Sequence, residues 1–129
     1  MEHVADLALR VRGQDVQDLF VNAAEGMFSL IGECRRESPA QCEEDILLQA
    51  PDPEALLIDW LNELLYLAEA THTHFFSFSI LNLTATSLEA HVGGNPPESL
   101  KREIKSATYH HLRLLEKREG FEVTIVFDV

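Results

Sequence analysis

The oxygen-bearing groups with the most chemical potential stand at the two ends of this chain. Asp6 closes the segment Glu2-His3-Val4-Ala5-Asp6, and Asp128 directly precedes Val129, whose α-carboxylate ends the sequence as written. Taken singly, both aspartates are solvated charges at strand ends. If the first and last strands are neighbours, the three carboxylates meet at one sheet edge. Such a group repels itself unless a cation lies among its members. An all-oxygen cluster suits a hard divalent ion, with calcium, magnesium and manganese as the candidates.

A third segment, Glu103-Ile104-Lys105-Ser106-Ala107-Thr108-Tyr109-His110, lies between these ends. Lys105 is a compact ammonium that can pair with Asp128 or meet a phosphate. Standing alone, it is a solvated charge. Nitrogen and sulfur donors make weaker sets. His72-Thr73-His74 would project both rings to one side if extended, and His110-His111 is a pair. Zinc takes three or four ligands, and no Cys or His at standard spacing completes either set. Cys34 and Cys42 sit in a loop-like segment, which favours free thiols, with a bridge between them as the alternative. Gly93-Gly94 lacks the Lys and helix of a phosphate loop, and no Ser or Cys occupies a nucleophile motif.

The 129 residues are enough for a single domain spanning 1–129. No apolar run reaches the length of a membrane span, and no secretory leader opens the chain, so a soluble, cytoplasmic protein is expected. The formal net charge is -12. Direct binding of RNA or DNA requires cancelling phosphate charge, and this chain repels a polyanion. In RNA metabolism it would touch a basic protein that holds the RNA. Acidity also serves plain solubility.

The elements that position these residues follow from periodicity. Residues 3–12 alternate as a strand, with Leu7, Leu9 and Val11 on one face and Asp6 on the more polar one. Gly13 turns the chain, and Asp15 caps an amphipathic helix running from Val16 to near Gly32. Residues 33–43 read as a loop and 45–50 as a strand. Asp52 and Pro53 start a second helix whose stripe includes Leu57, Trp60, Leu61 and Leu64. Strands are expected from Phe75 and again from Leu88 to Val92, separated by a hairpin break at Thr84–Ser87. Gly93–Pro97 reads as a loop, 98–108 as a connector, 109–117 as a strand, Glu119-Gly120 as a turn and 121–128 as the final strand. The order predicts an α+β two-layer sandwich, two main helices packed on a mixed or antiparallel sheet.

Together the three marked segments resemble the archease family. The family's Asp-His-Thr-Ala-Asp motif stands here as Glu2-His3-Val4-Ala5-Asp6, with Val4 in place of a hydroxyl. Its Glu-Ile-Lys-Ala-Ile/Val-Thr-Tyr-His pattern is Glu103 to His110, departing at Ser106 and Ala107. The resemblance implies a strand-helix-strand-strand core with an inserted helical unit, and a metal site at Asp6, Asp128 and Val129. It places Lys105 and His3 toward a partner. It further implies a non-catalytic activator of an RtcB-type RNA ligase, promoting guanylylation and multiple turnover in tRNA splicing and RNA repair. The alternative is a chaperone or specificity modulator of another tRNA-modifying enzyme, such as a tRNA methyltransferase.

Overall fold

The computed structural model describes residues 6–129, so His3 and the rest of residues 1–5 lie outside the described residues. The chain runs β1 (Leu7–Gly13), α1 (Val16–Ile31), β2 (Gly32–Cys34), β3 (Cys42–Gln49), α2 (Pro53–Thr71), β4 (His74–Leu83) and β5 (Ser87–Asn95). It continues as β6 (Pro97–Leu100), β7 (Ser106–Thr108), β8 (Leu115–Lys117) and β9 (Gly120–Asp128). This is the expected α+β class, with the strands divided among three antiparallel sheets. One sheet has the order β1-β9-β7, with β8 also on β9. A second has the order β3-β5-β4, and β2 pairs β6 in the third.

Both helices begin where their side chains predict. Asp15 accepts a bond from the Asp18 amide at 2.7 Å, while the Asp18 carboxylate accepts from the Gln14 amide at 3.0 Å. Asp52 accepts from the Ala55 amide at 2.8 Å, with Pro53 in the first turn, where its missing N–H costs nothing. Each cap satisfies an amide that the helix leaves orphaned.

The two apolar helix stripes meet in one core. Leu19, Phe20, Ala23 and Met27 of α1 pack there with Leu57, Trp60, Leu61 and Leu64 of α2, all essentially without solvent contact. Trp60 Nε1 donates to the Phe20 carbonyl at 3.0 Å, so burying the indole leaves no polar atom unpaired. Val123, Ile125 and Phe127 of β9 complete the floor.

Four expectations are corrected. Gly93 and Gly94 are strand residues of β5, not a loop. A Cβ at Gly94 would stand 2.4 Å from the His74 carbonyl oxygen, so glycine serves a close strand approach there. The segment 33–43 contributes β2 and the start of β3. The connector 98–108 holds the end of β6 and all of β7. The strand expected over 109–117 shrinks to β8, because a turn closed by the Leu112 amide on the Tyr109 carbonyl, with His111 at φ 55°, precedes it.

On the outer face of the second sheet, His91 lies between two carboxylates. Its Nδ1 meets Asp45 and its Nε2 meets Glu43, each at 2.7 Å. Hydrogen bonds to Asp45 and then Glu43 raise its pKa, because both ring nitrogens donate only in the imidazolium. A raised folded pKa stabilises fully below the unfolded value of about 6.5, and the stabilisation is lost as pH rises through the folded value. The expected result is an NMR titration midpoint for His91 above that of free histidine. Stability should fall across that window, and the fall should vanish in His91→Gln.

Candidate functional site

β9 alternates strictly, with Val123, Ile125 and Phe127 buried and Thr124 and Asp128 exposed. Its partner β1 alternates in step, so Arg10, Arg12 and Asp6 take the outward side. The register runs from Gly13↔Phe121 to Leu7↔Phe127, and one further step along it sets Asp6 beside Asp128. Directly opposed residues of an antiparallel pair share a face. On the other edge of β9, Ser106 of β7 pairs with Asp128. The Lys105 amide donates to the Asp128 carbonyl at 2.7 Å. Asp6, Asp128 and Lys105 are all exposed, and Val129 packs its side chain against the core. Three segments distant in sequence therefore come together at one end of one sheet.

The two ends of β9 differ electrostatically. At the far end, the Glu122 carboxylate lies 3.0 Å from Arg12 Nε and 3.3 Å from Lys117 Nζ. Hydrogen bonds from Lys117 and then Arg12 hold its pKa below the usual range. At the near end, neither Asp6 nor Asp128 enters an ion pair among the described residues. Arg12 and Lys117 were not singled out by sequence reasoning; the pairing Arg12↔Glu122 becomes visible only with the register.

The oxygen donors suit a hard cation, and no protein cation neutralises them among the described residues. Two side-chain carboxylates remain fewer than the six to eight oxygens calcium takes. Among the described residues, no three His, Cys, Asp or Glu side chains converge as a metal cluster. The two histidine pairs join no such cluster among the described residues. His72 caps α2 in the left-handed region at φ 52°, while His74 is 5% exposed at the start of β4. His110 and His111 lie exposed in the turn before β8. Cys34 and Cys42 are free thiols, and Cys34 donates weakly to the His74 carbonyl.

What holds β7, and with it Lys105, was not legible in advance. Asn62 of α2 presents its carboxamide edge-on to Ala107. The Ala107 amide donates to Asn62 Oδ1 at 2.7 Å, and Asn62 Nδ2 donates to the Ala107 carbonyl at 3.1 Å. The side chain thus does what another strand would do. Nothing in the sequence marked Asn62 out, because α2 also carries Asp59, Glu63 and Glu69.

Fold and site together define a small α+β protein with a carboxylate-bearing sheet end. The model of the Archease protein family (MTH1598/TM1083) matches residues 1–129. The archease protein of Methanosarcina mazei is 36% identical, over 100% of this chain and 93% of that protein. That of Saccharolobus islandicus is 31% identical, over 99% and 95%. The solution structure of Methanobacterium thermoautotrophicum protein 1598 superposes with a TM-score of 0.73 at 24% identity, covering 100% of this chain and 96% of that one. A crystal structure from Thermotoga maritima, described as an archease and possible chaperone, gives 0.72 at 20% identity, covering 100% and 94%. The chain belongs to the archease family.

The Asn62 contact yields a direct test. Asn62→Ala leaves an amide and a carbonyl of the buried Ala107 without partners, and each such group costs about 1–3 kcal/mol. Denaturant unfolding should show a loss of roughly 2–4 kcal/mol. Amide exchange should quicken at Ser106–Thr108 before it does in β1.

Proposed function

We propose that this chain is a non-catalytic protein partner of an RtcB-type RNA ligase. It would promote guanylylation and repeated turnover in tRNA splicing and RNA repair. The observation that carries the reading is the meeting of Asp6, Asp128 and Lys105 at one sheet end, in a chain of the archease family. Asp6 and Asp128, with the Val129 α-carboxylate as third member, would hold a divalent ion such as calcium, magnesium or manganese. When bound, such an ion supplies positive charge beside phosphate oxygens. The two aspartates orient the site outward, and Lys105 presents an ammonium to the same approaching surface. His3, outside the described residues, is assigned to that surface too.

The formal charge of -12 supports a protein partner over naked RNA. An acidic surface is drawn to a basic ligase and repelled by phosphate. RNA would then be met through the ligase. No described helix is long and apolar enough to cross a membrane, and we place the protein with its ligase in the cytoplasm. A second reading, a chaperone of another tRNA-modifying enzyme such as a methyltransferase, draws on the description of the Thermotoga maritima relative. It needs the acidic surface and not the carboxylate end.

The two readings part in a ligase guanylylation assay. Asp6→Ala and Asp128→Ala should each abolish divalent-ion binding in calorimetry and lower ligase stimulation at least tenfold. Lys105→Ala should lower stimulation with the melting temperature unchanged, since an exposed lysine contributes about 0–1 kcal/mol to stability. Amidation of the Val129 carboxylate should weaken ion binding, because affinity follows ligand charge count. Full stimulation by the folded aspartate variants would overturn the role given to the carboxylates and their ion, and absence of stimulation by the unaltered chain would overturn the ligase reading and leave the chaperone one standing.

A further inference from the structure

The net charge of this chain is unevenly spread. Between Glu37 and Leu100 the sequence holds eleven of its 22 acidic residues and none of its ten lysines and arginines. That stretch carries nearly all of the net charge of -12, and it contains the whole of β3, α2, β4 and β5. The principal neighbours of β3 are β5 and α2, so neither brings a basic side chain to it. The two arginines ahead of β3 are engaged elsewhere. Arg35 pairs with Glu98 at 2.8 Å and with Glu37 at 3.6 Å, and Arg36 lies near Cys34 and His74.

β3 and β4 are the outer strands of the β3-β5-β4 sheet, and their free edges differ. β4 shifts register twice, at Phe75/Ser77 and at Ile80/Asn82, and its His74 carbonyl accepts from Cys34. Such irregularities turn an edge away from further pairing. β3 instead pairs β5 without a break over all eight of its residues, from Cys42↔Gly94 to Gln49↔Ser87. No strand covers its other edge among the described residues. Glu43, Asp45 and Leu47 alternate along its exposed face, and Leu47 is 76% exposed. His91 holds both carboxylates from β5, the side away from the free edge, and one imidazolium leaves at least one negative charge over. Charge on an edge strand ordinarily repels other strands. A ladder of one sign turns away acidic strands and favours a basic one.

We propose that the free edge of β3 is a docking site for an extended basic segment of a partner protein, which adds to this sheet as a fourth strand. Cations two residues apart in that segment meet Glu43 and Asp45, and an apolar residue next along covers Leu47. Opposite charges on directly paired strands attract, so the main-chain ladder supplies affinity and the side chains select the sequence. The inference is independent of the ligase reading, since it uses none of Asp6, Asp128 or Lys105.

Three capped octapeptides test it by NMR titration of the full chain. One alternates lysine and valine, one alternates glutamate and valine, and the third is the lysine peptide N-methylated at every residue. The last keeps its charge and can donate no ladder bond. Saturable amide shifts along Cys42–Gln49, with slower amide exchange there, are expected from the lysine peptide at millimolar concentration. The other two should not saturate. Glu43→Gln combined with Asp45→Asn should weaken the lysine peptide roughly tenfold. Both side chains are exposed, so this variant folds. Equal binding of the glutamate peptide, or an unchanged affinity in the variant, would remove charge recognition and overturn the proposal. Equal binding of the N-methylated peptide would show charge acting without strand addition and overturn it too. So would shifts centred on β1, β4 or β7, or no saturation with the lysine peptide. Shifts of β3 on dilution of the chain alone would make a second copy the occupant and equally overturn it.

Discussion

β9 is hydrogen-bonded along both edges, to β1 on one side and to β7 and β8 on the other. Everything at the carboxylate end follows from that placement. A strand with neighbours on both sides has its register set twice. Its buried residues Val123, Ile125 and Phe127 cannot slip by one position without moving to the solvent face. The outward residues are fixed by the same alternation. Asp128 is therefore held opposite the start of β7 and in line with Asp6 by the packing of its apolar neighbours.

The outer face of this sheet is polarised along its length. Arg12 and Lys117 surround Glu122 at one end, and Asp6 and Asp128 stand at the other without protein counter-charge among the described residues. The segment that follows β6 joins this end to a cavity between the helix ends. Ile104 is buried in the wall of the cavity, and Lys105, the next residue, bonds Asp128 through its amide. Two chemically distinct regions thus share one short piece of backbone.

Much of this was legible in the sequence where a single local signal sufficed. The caps Asp15 and Asp52, the helical stripes and the alternation of 121–128 each act over a few residues, and the structure bears them out. Asp6 and Asp128 could be named as candidates, but their adjacency depends on strand order, which alternation does not encode. The misread segments have physical reasons. Gly93-Gly94 looks like a loop because glycine usually marks one, while here it permits close contact with His74 and Thr73. Residues 109–117 look extended, yet His111 in the left-handed region reverses the chain. Asn62 and Asn95 were invisible because each acts on backbone far away. Asn95 accepts from the Gln41 amide and donates to the Arg35 and Glu37 carbonyls, organising a stretch that composition marked only as polar.

The carboxamide of Asn62 has one more consequence. β7 is the outermost strand on its side of β9, and such edges are the usual landing place for a peptide that adds as a further strand. At Ala107 both outward peptide groups are already taken by Asn62. Strand addition there is closed, which removes both a route to self-association and a common mode of recognition. Any macromolecule that reaches Asp6, Asp128 and Lys105 must come onto the tip of the sheet, reading side chains instead of backbone.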